Sequence, residues 1–238
     1  MATVTSAPAS GTRGRPGGPS GPTLRLERRL LRSGVARLAA LDEVGRGSPA
    51  GPACVGVVVV DASVGRPPPG VRDSKQLSPE RRRALVPGVT AWATDWAVGT
   101  ASAGEVDRYG IIAALRLAGC RALARLEVAP DRLLLDGNHD WMTPPGSDDP
   151  LATAVGSRWD AVPVVTRVRA DRSCTSVAAA SILAKVARDG RMAGLAAAHP
   201  GYGWDTNMGY GTPDHLDALR RLGPSPHHRH SWRLPGPA

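Results

Sequence analysis

Residues 41–52, LDEVGRGSPAGP, decide the fold because a short glycine-rich turn there joins two apolar segments. Residues 35–44 predict an apolar strand before the turn, and residues 53–62, ACVGVVVVDA, predict a β-branched strand that is buried on both faces. The short separation between the two strands predicts that they pair antiparallel. The sequence therefore predicts a sheet that begins with two antiparallel neighbours.

The same turn carries the first candidate functional residues. Asp42 and Glu43 end the first strand, and Gly45, Arg46 and Gly47 follow almost at once. Carboxylates beside exposed backbone amides and a cation suit a metal-bound phosphate. An ordinary hairpin turn with two solvated acids is the alternative, and only the rest of the chain decides between the two.

Later segments add helices and further strands to this pair. Alternating residues over 91–102 predict a third strand, and a long helical pattern over 104–126 precedes a short buried strand over 133–135. A strand after a helix of this length predicts a crossover and a parallel neighbour. The predicted fold class is α/β: a mixed sheet, three antiparallel strands and then parallel strands, flanked by helices. The other predicted elements are a helix capped by Ser78, an irregular insertion over 138–159, a strand over 161–170, a helix over 173–192 and a last helix over 212–222.

The charge distribution separates the N-terminus from the rest of the chain. The formal net charge is +9, of which residues 1–34 carry +5, so an anionic partner such as nucleic acid is expected. Residues 1–23 are too poor in apolar side chains to offset the entropy cost of ordering. We therefore predict a disordered basic Gly/Pro-rich tail over 1–34, within which 24–34 can form a short basic helix, and a domain over 35–238. The tail either solubilises the protein or loosely tethers nucleic acid.

Hydropathy and cysteine content indicate the cellular setting. The sequence has no apolar run of about 18 residues, the length that would predict a membrane span, and its start lacks the apolar core of a signal peptide. Cys54, Cys120 and Cys174 are widely separated and odd in number, which favours free thiols over a disulfide frame. We therefore expect a cytoplasmic protein with no membrane contact.

Two further acids fall where they can join the first pair. Asp136 ends the strand after the long helix, and Asp171 follows the strand over 161–170. Taken alone, Asp136 is typical of a strand-ending turn and Asp171 is typical of a surface ion pair. If these strands are neighbours, four carboxylates meet and repel each other unless cations neutralise them. Oxygen ligands favour Mg²⁺ or Mn²⁺, and two such ions about 3.5–4 Å apart support phosphodiester hydrolysis. Because adjacent strand residues point to opposite faces, Asp42 and Glu43 are expected to share the site only if the strand end is irregular.

Five motifs occur in an order that is similar to one known family. The motifs are LDEVGRGSPAGP (41–52), RDSKQLS (72–78), LLLDG (133–137), ADRSCTSVAAASILAKVARD (170–189) and YGWDTNMGYGTPDH (202–215). They span nearly all of residues 35–232, and the first and fourth are highly specific in combination. On these motifs the chain resembles ribonuclease HII, the bacterial type 2 ribonuclease H.

The resemblance implies a ribonuclease H-like fold with a C-terminal helical extension over about residues 193–238. It also implies an endoribonuclease that hydrolyses the RNA strand of RNA/DNA hybrids. Such an enzyme cuts 5′ of single ribonucleotides in duplex DNA, leaves 3′-hydroxyl and 5′-phosphate ends, and acts in ribonucleotide removal. Mn²⁺ or Mg²⁺, two ions per site, is the implied cofactor. A monomer is implied, and whether a sliding-clamp partner binds is left open.

Residue roles follow from the motif positions in the same resemblance. Asp42, Glu43 and Asp136 resemble the family's main metal ligands among its four catalytic carboxylates, and Asp171 resembles the acid that completes the site around the second ion. The implied catalytic and metal-binding set is therefore Asp42, Glu43, Asp136 and Asp171.

Substrate contacts are implied in the same way. The turn Gly45-Arg46-Gly47 resembles the element that reads the ribose 2′-hydroxyl, which suits backbone groups that approach a minor groove closely. Tyr210 resembles the tyrosine that stacks on the next sugar, while Tyr202 is expected to pack inside the protein. Lys75, together with Arg46, is expected to hold backbone phosphates.

Departures from the pattern and two alternatives remain. Met208 stands where many relatives carry lysine, and the insertion over 138–159 is expected to be a surface loop. Ribonuclease HIII is one alternative, but its folded N-terminal domain and different turn do not match this sequence. A non-catalytic nucleic-acid-binding protein is the other, although mere binding would not require four acids.

Overall fold

Five strands form one mixed sheet in the computed structural model, which describes residues 21–146, 149–155 and 158–236. The strands are β1 (Arg37–Val44), β2 (Ala53–Asp61), β3 (Asp95–Ala101), β4 (Arg132–Asp136) and β5 (Val164–Arg167). Their order in the sheet is β3-β2-β1-β4-β5. β1, β2 and β3 pair antiparallel, whereas β4 is parallel to β1 and β5 is parallel to β4. The predicted α/β class and mixed sheet are confirmed.

Helices cover both faces of this sheet. They are α1 (Arg25–Arg32), α2 (Pro79–Trp92), α3 (Ala103–Leu123), α4 (Ala152–Val155), α5 (Ala170–Ser173), α6 (Thr175–Ala198), α7 (Trp204–Asn207) and α8 (Pro213–Leu222). The core on one face is built with α3, and the core on the other face is built with α6, α1 and α2. No helix within the described ranges combines the length and apolar character needed to cross a bilayer.

Several predicted element boundaries are wrong, among them the end of the helix over 173–192, which continues as α6 to Ala198. α2 continues to Trp92, so the third strand begins at Asp95 and not at residue 91. The helix continues because Leu85 and Val89 bury their side chains in the core beside α6. β5 ends at Arg167, and Asp171 therefore lies on the short helix α5 and not at a strand end.

The N-terminal segment is structured from residue 25 onward. α1 carries Glu27, which is fully buried and accepts hydrogen bonds from the backbone N–H (2.9 Å) and hydroxyl (2.8 Å) of Ser176. The prediction of a disordered tail over 1–34 is therefore wrong for α1. The prediction that residues 24–34 can form a short basic helix is confirmed. Residues 1–20 lie outside the described residues. The reason for the error is Glu27, one buried acid that anchors an otherwise basic helix.

The insertion over 138–159 contributes to the core and is not a surface loop. Trp141, Met142 and Leu151 are buried in the cluster on the α3 face. Arg116, buried on α3, pairs with Asp149 of the insertion at 2.5 Å. The default expectation of a surface loop is therefore wrong, because these large apolar side chains fill space above α3.

The C-terminal extension forms a small core of its own around α7 and α8. Trp204 donates its indole N–H to His215 at 3.0 Å, and the His215 and His228 rings are 3.1 Å apart, nitrogen to nitrogen. Both histidines are fully buried. His215 Nδ1 also contacts the Tyr210 carbonyl at 2.8 Å.

Candidate active site

Parallel pairing of β1 and β4 brings the first and third acids together. Leu41 and Leu135 are register partners, so Asp42 and Asp136 follow on adjacent strands. β1 stays regular to Val44, so the irregular strand end that was the condition for Asp42 and Glu43 to share a face is not present. By alternation, the Asp42 and Glu43 side chains therefore leave opposite faces of the sheet. The charge of Glu43 nonetheless acts on Asp42 and raises its pKa.

Burial and mutual repulsion dominate the electrostatics of the acids. Asp42 is only 5% exposed, and its burial holds its pKa well above the usual value. The negative charges of Glu43, Asp136 and Asp171 raise it further. Burial also raises the pKa of Glu43 and of Asp171, with Asp136 adding to both shifts. All four predicted carboxylates therefore belong to one electrostatically coupled region.

Backbone amides at the start of α5 fix the third acid. Asp136 Oδ1 accepts hydrogen bonds from the N–H groups of Ala170 at 2.6 Å and Asp171 at 3.4 Å. The same short helix therefore orients Asp136 and carries the buried Asp171. Lys75 Nζ lies 3.8 Å from Asp171 Oδ2, so one cation already faces this cluster.

The chemistry of the donor set suits a hard divalent cation. The charges of Glu43, Asp136 and Asp171 all act on Asp42, and Glu43 Oε2 is buried with no hydrogen-bond partner among the described residues. A bound cation would remove the repulsion and give that oxygen a partner. As the side chains stand, no group of three or more Asp, Glu, His or Cys within the described ranges is arranged to hold a metal ion. The metal-ligand set therefore stays a prediction.

Two buried arginines donate hydrogen bonds to the backbone carbonyls of the glycine-rich turn and its neighbours. Arg229 donates to the carbonyls of Gly45 (2.6 Å), Arg46 (2.8 Å) and Gly51 (3.3 Å). Arg188 donates to the carbonyls of Pro52 (2.9 Å), Ala50 (3.1 Å) and Met208 (2.8 Å). A side chain at Gly45, whose φ is +81°, would meet the Arg188 guanidinium at 2.2 Å.

Both arginines are fully buried, and neither forms an ion pair in the described part of the chain. Burial lowers the pKa of Arg229 to about 10 and also lowers the pKa of Arg188. Carbonyl dipoles therefore take the place of a counter-ion for both charges. The shape of the turn depends on residues far away in sequence.

The predicted substrate contacts surround this turn. Arg46 is 47% exposed and lies 3.6 Å from Glu43, and Lys75 is 75% exposed. Tyr210 is half-buried, with the guanidinium of Arg188 5.2 Å from its ring centre. Tyr202 is buried and donates its hydroxyl to the Gly223 carbonyl at 2.8 Å, which confirms that it packs inside.

Sequence reasoning missed Arg188, Arg229 and Asp73. Asp73 is 1% exposed, accepts from the Lys75 N–H at 2.9 Å and pairs with Arg172 at 3.3 Å. Asp73 caps the short turn over residues 74–76 with its side chain. An aspartate directly before such a turn is a local sequence pattern from which this cap could have been predicted. Arg188 lies inside the motif over 170–189 and Arg229 lies outside all five motifs, but no local pattern indicated the contacts of either arginine, since every partner lies at least 20 residues away.

Comparison with known proteins gives a consistent result. The family model for ribonuclease HII matches residues 39–234. A ribonuclease HII of Paracoccus denitrificans is 47% identical over 211 residues, covering 89% of this chain and 91% of its own length. A ribonuclease HII of Streptomyces avermitilis is 43% identical, covering 89% of this chain and 83% of its own length.

Solved structures resemble the fold as well. Ribonuclease H2 from Pyrococcus horikoshii is 26% identical with a TM-score of 0.61, covering 83% of this chain and 94% of that chain. A PCNA:RNase HII complex from Archaeoglobus fulgidus is 24% identical with a TM-score of 0.61, covering 82% and 93%. Bst-RNase HIII in complex with Mn²⁺ is 22% identical with a TM-score of 0.54, covering 90% of this chain and 70% of that chain.

Proposed function

The chain belongs to the ribonuclease HII family, and from that premise we propose how it cuts its substrate. It is an endoribonuclease with a ribonuclease H-like α/β fold, and its class of substrate is the RNA/DNA hybrid. The finer proposal is that it also cuts 5′ of single ribonucleotides in duplex DNA and leaves 3′-hydroxyl and 5′-phosphate ends. Its proposed role is ribonucleotide removal from DNA.

One observation carries the catalytic part of this proposal. Asp42 lies near the end of β1 and Asp136 ends the adjacent parallel strand β4, and the charges of Glu43 and Asp171 act on the same Asp42 carboxylate. We propose that these four acids hold two Mn²⁺ or Mg²⁺ ions, which supply an activated water and neutralise the phosphate charge. Repulsion within the apo cluster favours binding of such ions.

The chain's own groups then have distinct tasks. The amides of Ala170 and Asp171 orient Asp136, and burial keeps competing water away from Asp42. We propose that the Gly45-Arg46-Gly47 backbone contacts the ribose 2′-hydroxyl, with its shape kept by Arg229. Tyr210 is proposed to stack on the next sugar, while Lys75 and Arg46 hold phosphates.

Partners and setting are also proposals. A monomer in the cytoplasm is proposed, and three buried free cysteines suit that reducing compartment. The Archaeoglobus fulgidus structure contains PCNA, so a sliding clamp is a candidate partner for this chain too.

The two alternatives are weaker. The chain covers only 70% of the ribonuclease HIII structure, whereas it covers 91% of the ribonuclease HII of Paracoccus denitrificans. A non-catalytic binding protein would gain nothing from a buried Asp42 that repels its neighbours.

Asp136→Asn tests the proposed chemistry. Asparagine keeps a side-chain oxygen for the Ala170 amide, so the fold should persist while the charge is lost. We expect cleavage of RNA/DNA hybrid and of one-ribonucleotide duplex to fall at least about 10³-fold, in the range found when key catalytic groups are removed. Labelled hybrid, one-ribonucleotide and all-DNA duplexes with Mg²⁺, Mn²⁺ or chelator provide the measurement.

The matched control is Asp140→Asn, an acid of the neighbouring loop that caps the Met142 and Thr143 amides. That variant should cut all cleavable duplexes at nearly the wild-type rate. Activity of folded Asp136→Asn at the wild-type rate would remove Asp136 from the site. Wild-type cleavage in chelator, or of the all-DNA duplex, would contradict the proposed function itself.

A further inference from the structure

A basic cavity opens beside the acids, at the edge of the sheet formed by β5. Its volume is about 400 Å³. Four arginines line it together with Thr23 and Ser173: Arg25 and Arg29 from α1, Arg167 at the end of β5, and Arg172 from α5. Within the described part of the chain, no acidic side chain lines this cavity.

The cavity lies next to the predicted catalytic acids. Arg167 is the register partner of Asp136 across the β4–β5 pair, so their Cα atoms are about 5 Å apart. Arg172 directly follows Asp171 in sequence and pairs with Asp73. A nucleic-acid strand whose reacting phosphate lies at the acids would therefore carry neighbouring phosphates toward this cavity.

The helix that supplies two of the arginines is firmly attached. The Thr23 N–H donates to the Ser173 carbonyl at 3.2 Å, and the Thr175 N–H donates to the Thr23 carbonyl at 3.3 Å. Glu27 secures the next turn of α1 to the start of α6. The arginine side chains thus project from a fixed backbone, which reduces the entropy lost on binding. The whole of α1 precedes the residues matched by the family model.

The charges of the cavity are largely uncompensated. Arg172 is paired with Asp73, whereas Arg25, Arg29 and Arg167 form no ion pair with any described residue. All four arginines are exposed to solvent, and the two on α1, Arg25 and Arg29, are open to an incoming anion without loss of an ion pair to a described residue. Guanidinium groups match phosphate oxygens with two parallel hydrogen bonds.

We propose that this cavity is a subsite for a phosphodiester group of the duplex, away from the scissile phosphate, with Arg25 and Arg29 as its principal contacts. It extends the substrate-binding surface beyond the glycine-rich turn, on the other side of the acids. The placement relative to the cut rests on the proposed function, whereas the affinity for nucleic-acid backbone does not.

The same helix offers a matched control. Arg28 and Arg32 lie on another face of α1, where they line a separate cavity with Leu31 and Val64. The double variants Arg25→Ala/Arg29→Ala and Arg28→Ala/Arg32→Ala remove equal charge from the same helix. A difference between them therefore reports position and not net charge.

Steady-state cleavage of a long one-ribonucleotide duplex is the first measurement. For Arg25→Ala/Arg29→Ala we expect KM to rise about fivefold to tenfold with kcat unchanged. The slope of log affinity against log salt concentration should become shallower, by the amount that corresponds to about one or two lost phosphate contacts. The control pair should change KM less than about twofold. Shortening the duplex on the side of the ribonucleotide that reaches the cavity should abolish the difference in KM between wild type and variant. Shortening it on the other side should leave that difference in place.

Binding without cleavage separates the two hypotheses. Fluorescence anisotropy of a labelled all-DNA duplex in chelator should show the same loss of affinity for Arg25→Ala/Arg29→Ala. Equal effects of both double variants, or no effect of either, would overturn the subsite. A wild-type protein that binds through this cavity but never cleaves would overturn the proposed function and leave the subsite standing.

Discussion

At the scale of single residues, Arg229 has the widest influence on the candidate site. Its guanidinium bridges three carbonyls of the turn, including those of Gly45 and Arg46. A lysine at this position carries one compact ammonium and cannot make the same fork of bonds. The position therefore requires arginine for its shape and not only for its charge.

We predict that Arg229→Lys loosens the turn without removing the acids. Each buried carbonyl left without a donor costs about 1–3 kcal/mol, so the free energy of unfolding should fall by about 2–4 kcal/mol. Below the melting temperature, cleavage of one-ribonucleotide duplex should fall about tenfold or more, with most of the loss in KM. Thermal unfolding and cleavage kinetics are the measurements.

Arg233→Lys is the control for Arg229→Lys, since Arg233 is exposed in the same C-terminal segment. It should leave both quantities nearly unchanged. If Arg229→Lys kept wild-type KM for the one-ribonucleotide duplex, the turn would not depend on this guanidinium.

The acids and the arginines differ in how far sequence could reveal them. Asp42, Glu43, Asp136 and Asp171 lie in motifs, and their gathering follows from strand pairing. Arg229 lies in a basic, proline-rich segment typical of a solvated tail, and its contacts reach back more than 170 residues. Burial of a charge by carbonyl dipoles leaves no periodic pattern in a sequence.

At the scale of elements, close contact between α6 and the sheet sets the position of the acid region. Gly56 of β2 lies under α6, where an added Cβ would be 2.2 Å from the Ala180 carbonyl oxygen. The small alanine side chains of α6 allow this approach. Gly56 is the register partner of Asp42 in the β1–β2 pair. A shift of α6 at Gly56 would therefore displace the backbone next to Asp42.

We predict that Gly56→Ala destabilises the protein by about 1–3 kcal/mol, because the helix must move away from the sheet. Gly190→Ala is the matched control, since Gly190 lies on the exposed face of α6 with open space around its Cα. That change should stabilise the protein by about 0.5–1 kcal/mol. Denaturant unfolding of both variants measures the difference, and a neutral Gly56→Ala would mean that the packing is looser than described.

The predicted elements were most accurate where the local pattern was strong. β1, β2 and the Thr212-capped α8 appear where expected, because apolar β-branched runs and helix caps act within a few residues. The end of α2 and the burial of the insertion were mispredicted. Both depend on which surface is available for packing, and that surface is created by distant elements.

At the scale of the whole molecule, the fold brings together acids that oppose folding when no cation is bound. Burial raises the pKa of Asp42 well above its usual value. An acid whose pKa rises on folding stabilises the protein below its unfolded pKa of about 3.8 and loses that contribution as pH rises through the folded value. At neutral pH, Asp42 is therefore a source of instability that a bound cation would remove.

Histidines of the C-terminal core act in the opposite direction. Burial lowers the pKa of His228 to about 4, so its contribution is complete above about pH 6.5 and is lost as pH falls toward 4. The total stability of the protein against pH combines both trends. Only a comparison of variants at matched pH isolates the acid cluster.

We predict that Asp42→Asn, in chelator, is more stable than the wild type by about 1 kcal/mol or more at pH 8, and that this gap closes toward pH 4. The reason is that asparagine removes a buried negative charge that Glu43, Asp136 and Asp171 repel. Saturating Mg²⁺ should stabilise the wild type at pH 8 and narrow the gap, while Asp42→Asn remains inactive. Glu127→Gln, at an exposed acid, should show no such dependence. Melting curves across pH, with and without Mg²⁺, provide the measurement, and a gap that is constant with pH would mean that the Asp42 charge does not oppose folding.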